Sequence, residues 1–118
     1  MLPKEQRLKK NSAFKATYRL KNTYSDKYFI LFVGKEKQSL DVPTKVGFVV
    51  SKKNHKRAVK RNRIKRLLRE AYRTLFLAGE INNVSKYLSL IFVVKNDAIG
   101  IDFDAVKTSV KNIIGKIK

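Results

Sequence analysis

A single domain of mixed helix and strand, with helices packed on a small sheet, is the fold class this sequence predicts. Three observations predict it. The length, 118 residues, fits one compact domain over residues 1–118. Several short runs rich in aromatic and β-branched residues stand apart from one another, as strands do. One long segment carries apolar residues at spacings of three and four, the period of a helix. The class is α+β, or α/β if the strand–helix–strand unit from Lys45 to Val94 pairs in parallel. For a parallel pairing, base rates give the crossover a right hand.

The elements follow in order. Asn11-Ser12 reads as a helix start and Ala13 to Leu20 as a short, loosely amphipathic helix. Asn22 to Asp26 is turn-like. Tyr28 to Val33 reads as a strand, closed by Gly34, and Lys35 to Thr44 is a polar loop containing Pro43. Lys45 to Ser51 is the next strand, expected to run antiparallel to the previous one. Ser51 to His55 is a basic connection into the clearest helix, Lys56 to Ala78. There Ile64, Leu67, Leu68, Ala71 and Leu75 make one apolar stripe, and Gly79 is a C-terminal stop. Tyr87 to Val94 is a third strand. Its run Leu90 to Val94 is continuously apolar, as suits a strand covered on both faces. Asp102 caps a last helix from Phe103 to about Lys116, with Asp104 favourable in its first turn. The chain shows no internal repeat or linker.

Charge narrows the function. Lys and Arg number 28 against 9 Asp and Glu, a net charge of +19. Such a domain repels itself unless a polyanion offsets the charge. Nucleic acid is the first candidate and an anionic membrane surface the second. The hydrophobic share, 43%, is enough for a core and excludes a disordered basic tail. No apolar run approaches the ~20 residues of a membrane span, and the first residues are too polar for a secretory signal. The absence of cysteine excludes disulfides and thiolate metal sites and fits a cytoplasmic protein.

The charge is patterned. From Lys52 to Arg73 there are eleven Lys or Arg residues and one acid, Glu70. At ~100° per residue, Asn62, Lys65, Arg66, Arg69 and Arg73 share the face opposite the apolar stripe, with Arg61 and Arg63 on its flanks. A solvated face would mix signs. A stripe of like charge weakens an isolated helix, and phosphates relieve that cost. Arginine's planar fork suits phosphate. A membrane-surface helix fits less well, because the apolar stripe is needed for the core. Near the first helix, Phe14 and Tyr18 lie four apart among Lys9, Lys10, Lys15, Arg19 and Lys21. Aromatics interleaved with cations suit single-stranded nucleic acid, whose bases stack while its phosphates pair. In the first strand, Tyr28, Ile30 and Phe32 share one face, and Phe29, Leu31 and Val33 the other.

Protein-borne catalysis has no visible constellation. His55 is the one histidine, so no histidine–cysteine metal site can form. Asp102 with Asp104 reads as helix capping, and Glu36 with Asp41 as loop solvation. No cofactor is expected to be bound by the protein itself.

Three blocks then carry a resemblance. Lys60-Arg61-Asn62-Arg63-Ile64-Lys65-Arg66-Leu67-Leu68-Arg69-Glu70 resembles the RNR motif of the bacterial ribonuclease P protein family. Val46-Gly47-Phe48-Val49-Val50-Ser51-Lys52-Lys53 is similar to that family's preceding strand, and Arg7-Leu8-Lys9-Lys10-Asn11-Ser12-Ala13-Phe14 to its opening. The resemblance runs from about Arg7 to Lys116. It implies a ribosomal protein S5 domain 2-like fold, an α-β-β-β-α-β-α sandwich with a left-handed β-α-β crossover. The extra short strand would lie near Asn22 to Asp26. It also implies that a catalytic RNA performs the hydrolysis, with Mg²⁺ held mainly by RNA. By resemblance, Arg61, Asn62, Arg63, Lys65, Arg66 and Arg69 contact RNA, with Lys52 and Lys53 on the same basic surface. Phe14, Tyr18 and Phe32 fall at positions of the cleft for the 5′ leader of precursor tRNA. The implied partners are the ribonuclease P RNA and precursor tRNA, with no membrane and no obligate protein partner. The competing readings are a ribosomal protein and a DNA-binding regulator, although no clear helix-turn-helix precedes the basic helix.

Overall fold

The computed structural model describes residues 6–39, 41–50 and 57–117. The elements are α1 (Asn11–Arg19), β1 (Thr23–Ser25), β2 (Phe29–Val33), β3 (Lys45–Val49), α2 (Ala58–Leu77), β4 (Ser89–Val94) and α3 (Phe103–Gly115). This is the α-β-β-β-α-β-α order. The turn-like stretch after α1 holds the short strand β1.

The sheet runs β1-β2-β4-β3. β2 is antiparallel to both β1 and β4, and β3 is parallel to β4. Chain order alone makes β3 the antiparallel companion of β2. Their directions are opposed, but β4 lies between them. The reason is hydrophobic: Leu90, Ile91 and Phe92 of β4 are all fully buried. A strand that buries both faces and both edges belongs in the middle of a sheet. The loop after Gly34 therefore spans the width of a strand and is not a hairpin. One edge of β3 is itself covered, where Leu8 N–H donates to the carbonyl of Val46 at 3.0 Å.

Strand alternation then builds three layers. Phe29, Leu31 and Val33 pair with Val94, Phe92 and Leu90, and all six are buried against α2 and α3. From α2, Ile64, Leu68, Ala71, Tyr72 and Leu75 enter this core. Tyr72, absent from the expected stripe, meets Phe92 edge-on at 6.5 Å. Ile64, Leu68 and Leu75 each contribute about 1.5–3 kcal/mol by leaving water. α1 packs on the opposite face of the sheet.

Helix ends follow local chemistry. Gly79 has φ +73°. Its N–H donates to Phe76 and that of Glu80 to Leu75, a Schellman ending that favours glycine at this position. Asp102 accepts from the N–H of Ala105 at 2.9 Å and starts α3 as expected. At α1 the residue before the helix is Lys10, with no side-chain cap, so Asn11-Ser12 lies inside the first turn.

Candidate nucleic-acid interface

Thr17 seats α1 on the sheet. Its hydroxyl donates to the carbonyl of Ala13 at 2.8 Å and meets the hydroxyl of Ser89 at 2.6 Å. Burial of an unpaired hydroxyl would be costly, so this pairing fixes the height of the helix over β4. Phe14 then lies over β3. A Cβ on Gly47 would stand 2.7 Å from Cζ of Phe14, so the ring occupies space that any other residue would fill. Tyr18 lies over β2, edge-on to Phe32 at 4.7 Å between ring centroids, and 6.4 Å from Phe14.

Phe14 and Tyr18 thus share a helix face, as their spacing predicts, and meet Phe32, which only the resemblance placed with them. All three are half-buried, so each keeps exposed ring surface. Burial pushes the Tyr18 phenol above its ordinary value. Beside them runs a row set by strand register, Ile30 with Val93 and Val93 with Val49. These three are also half-buried and form an open apolar floor. Sequence reasoning misses them as a site. Alternation places Ile30 with Phe32, but no local signal says which sheet face stays open. Lys9, Lys10, Lys15, Arg19 and Lys21 are exposed around the aromatics. Stacking rings ringed by cations can hold a single strand by its bases and phosphates together.

The basic helix lies in the other outer layer. Asn62, Arg66 and Arg73 are exposed; Arg61, Lys65 and Arg69 are half-buried. Among the described residues, the side chains of Lys65, Arg66, Arg69 and Arg73 carry no hydrogen bond or ion pair. Arg63 differs. Its guanidinium donates to the carbonyl of Ile101 at 3.1 Å and ties α2 to the approach of α3. Lys52, Lys53 and His55 lie outside the described residues. The sheet therefore separates the two sets of candidate residues, with α1 and its cleft on one face and α2 on the other. They adjoin at β3, whose chain leads from Val49 toward α2.

Fold and surface together define a small basic α+β module with an aromatic cleft on one sheet face and a cation-rich helix on the other. Comparison with known proteins identifies it further. A model of the Ribonuclease P family matches residues 2–118. The ribonuclease P protein component of Clostridium kluyveri is 34% identical over 110 residues, 93% of this chain and 92% of that protein. That of Clostridium novyi is 32% identical over 113 residues, 96% and 94% of the two chains. The chain belongs to the ribonuclease P protein component family. Its fold matches the RNase P protein of Thermotoga maritima with TM-score 0.77 at 22% identity, over 95% of this chain and 97% of that one. For the Staphylococcus aureus protein the TM-score is 0.74 at 23% identity, over 95% and 94%. The crossover from β3 through α2 to the parallel β4 is left-handed, as the resemblance implied and base rates opposed.

Proposed function

We propose that this chain is the protein subunit of ribonuclease P and assists Mg²⁺-dependent endonucleolytic removal of the 5′ leader from precursor tRNA. In this reading α2 binds the catalytic RNA through Arg61, Asn62, Lys65, Arg66 and Arg69. The cleft of Phe14, Tyr18 and Phe32 holds the single-stranded leader. The observation that carries the reading is the separation of two unlike surfaces on opposite sheet faces. One is a cation stripe suited to a folded RNA's phosphates, the other an aromatic cleft suited to an unpaired strand. A subunit that holds an RNA partner and an RNA substrate at once needs two such surfaces.

Hydrolysis itself is assigned to the RNA partner. Among the described residues no three His, Cys, Asp or Glu side chains gather as a metal site. In this proposal Mg²⁺ is held mainly by RNA phosphates, since the ion keeps several waters and takes phosphate oxygens readily. The protein's part is positioning and charge. Cations near the junction of the two RNAs replace diffuse counterions and so reduce the Mg²⁺ the complex requires.

The test is reconstitution with a bacterial ribonuclease P RNA at low Mg²⁺. Addition of the chain is expected to restore cleavage of precursor tRNA at the mature 5′ end. Failure to stimulate at any protein concentration would refute the proposal.

A further inference from the structure

The other flank of α1 has a second groove. It encloses about 330 Å³ between α1, the start of β3 and the loop around Pro43. Its walls include Ala16, Val42 and Leu88. Val42 is 43% and Leu88 38% exposed, two of the large apolar side chains most open to water among the described residues. The Thr17–Ser89 hydroxyl pair lies in its floor. Lys35 and Lys45, both exposed, stand on its rim. Among the described residues no acid lines it.

An apolar slot of this volume falls at the low end of small-ligand sites. Two ammonium groups on the rim add charge complementarity to an anion whose body is flat and apolar. A nucleotide has that chemistry: a base for the slot and a phosphate for the lysines. Resting on the function proposed above, we infer that this groove receives one unpaired nucleotide of the catalytic RNA. The leader is the less fitting source. Phe14 and Tyr18 face the opposite flank of α1 from Ala13 and Ala16, and Thr17 points down into the sheet between them. A leader lying in the aromatic cleft would have to climb over a helix ~10 Å across to reach the groove. A second RNA reaches it directly.

Two variants and one probe test this. Ala16→Phe fills the groove from an exposed helix position and leaves the aromatic cleft alone. Lys35→Gln with Lys45→Gln removes the rim charge. Ala16→Phe is expected to weaken binding of the protein to ribonuclease P RNA roughly tenfold, the scale of one stacking interaction. The holoenzyme's preference for precursor over mature tRNA should not change. The lysine double variant is expected to reduce the log–log salt slope by about 0.7–1.4, for one or two neutralised phosphates. Independently of any variant, adenosine 5′-monophosphate should shift the backbone amide resonances of Ala16, Gly34 and Ser89 in the free protein. Inorganic phosphate should not reproduce that pattern. A loss seen only with leader-bearing tRNA would overturn the assignment to the catalytic RNA. Unchanged RNA affinity in both variants, with Arg66→Ala and Arg69→Ala still weakening it, would overturn the groove and leave the proposed function standing. Wild-type protein that binds no ribonuclease P RNA would instead remove that function.

Discussion

Phe14 rests on the backbone of Gly47 and still exposes part of its ring, so one side chain serves both packing and recognition. Phe14→Ala is expected to weaken holoenzyme binding of precursor tRNA by about 1–3 kcal/mol, one stacked base, and to leave mature tRNA binding unchanged. Gly47→Ala should act in the same direction without deleting an aromatic, because its methyl displaces the ring. Equal losses for both tRNAs, or a large fall in melting temperature, would return Phe14 to a core role. Tyr72 supplies a different kind of test. It is 1% exposed, and burial drives its phenol well above the usual value near pH 10. The folded state thus holds this proton more tightly than the unfolded chain does. That stabilisation is whole below about pH 10 and is lost as the pH climbs beyond it. Lysines titrate in the same range, so the informative quantity is a difference. Between about pH 10 and 11.5, Tyr72→Phe should lose less melting temperature than the parent protein. Parallel losses would show that the buried phenol does not govern alkaline unfolding.

Among the elements, α2 has two faces that do unlike work. Ile64, Leu68, Ala71, Tyr72 and Leu75 bury one side, while Lys65, Arg66, Arg69 and Arg73 leave the other without protein partners among the described residues. Arg66→Ala with Arg69→Ala is therefore expected to preserve folding and weaken binding to ribonuclease P RNA. The log–log salt slope should fall by roughly 0.7–0.9 for each phosphate no longer neutralised. An intact fold with unchanged affinity and slope would remove α2 from the RNA interface. The helix is legible at this scale because its period, its stripe and the Gly79 stop are all local. Arg63 is not. On a wheel it flanks the cation face, yet its guanidinium is held by the Ile101 carbonyl, a partner 38 residues away that no helical spacing can announce.

For the whole molecule, the net charge of +19 and the assignment of hydrolysis to the RNA partner lead to one expectation. The RNA-free protein should not cleave precursor tRNA at any Mg²⁺ concentration. Robust metal-dependent cleavage by protein cleared of RNA would contradict the assignment of chemistry to the partner. Composition, periodicity and end signals are sufficient for the type of every main element except β1, which reads as a turn, and for the pairing of Phe14 with Tyr18 on one helix face. These depend on residues near one another in the chain, where backbone geometry alone sets the spacing. The place of β4 between β2 and β3 needs the tertiary structure, because strand order is set by total apolar burial and not by chain order. So does the left-handed crossover, which runs against the base rate and comes from the resemblance alone at the level of sequence. The choice of Ile30, Val49 and Val93 as an open floor comes only with the seat of α1, fixed by Thr17 on Ser89 across 72 residues. Alternation divides a strand into two faces with equal force, and only long-range packing decides which of them is left for a ligand.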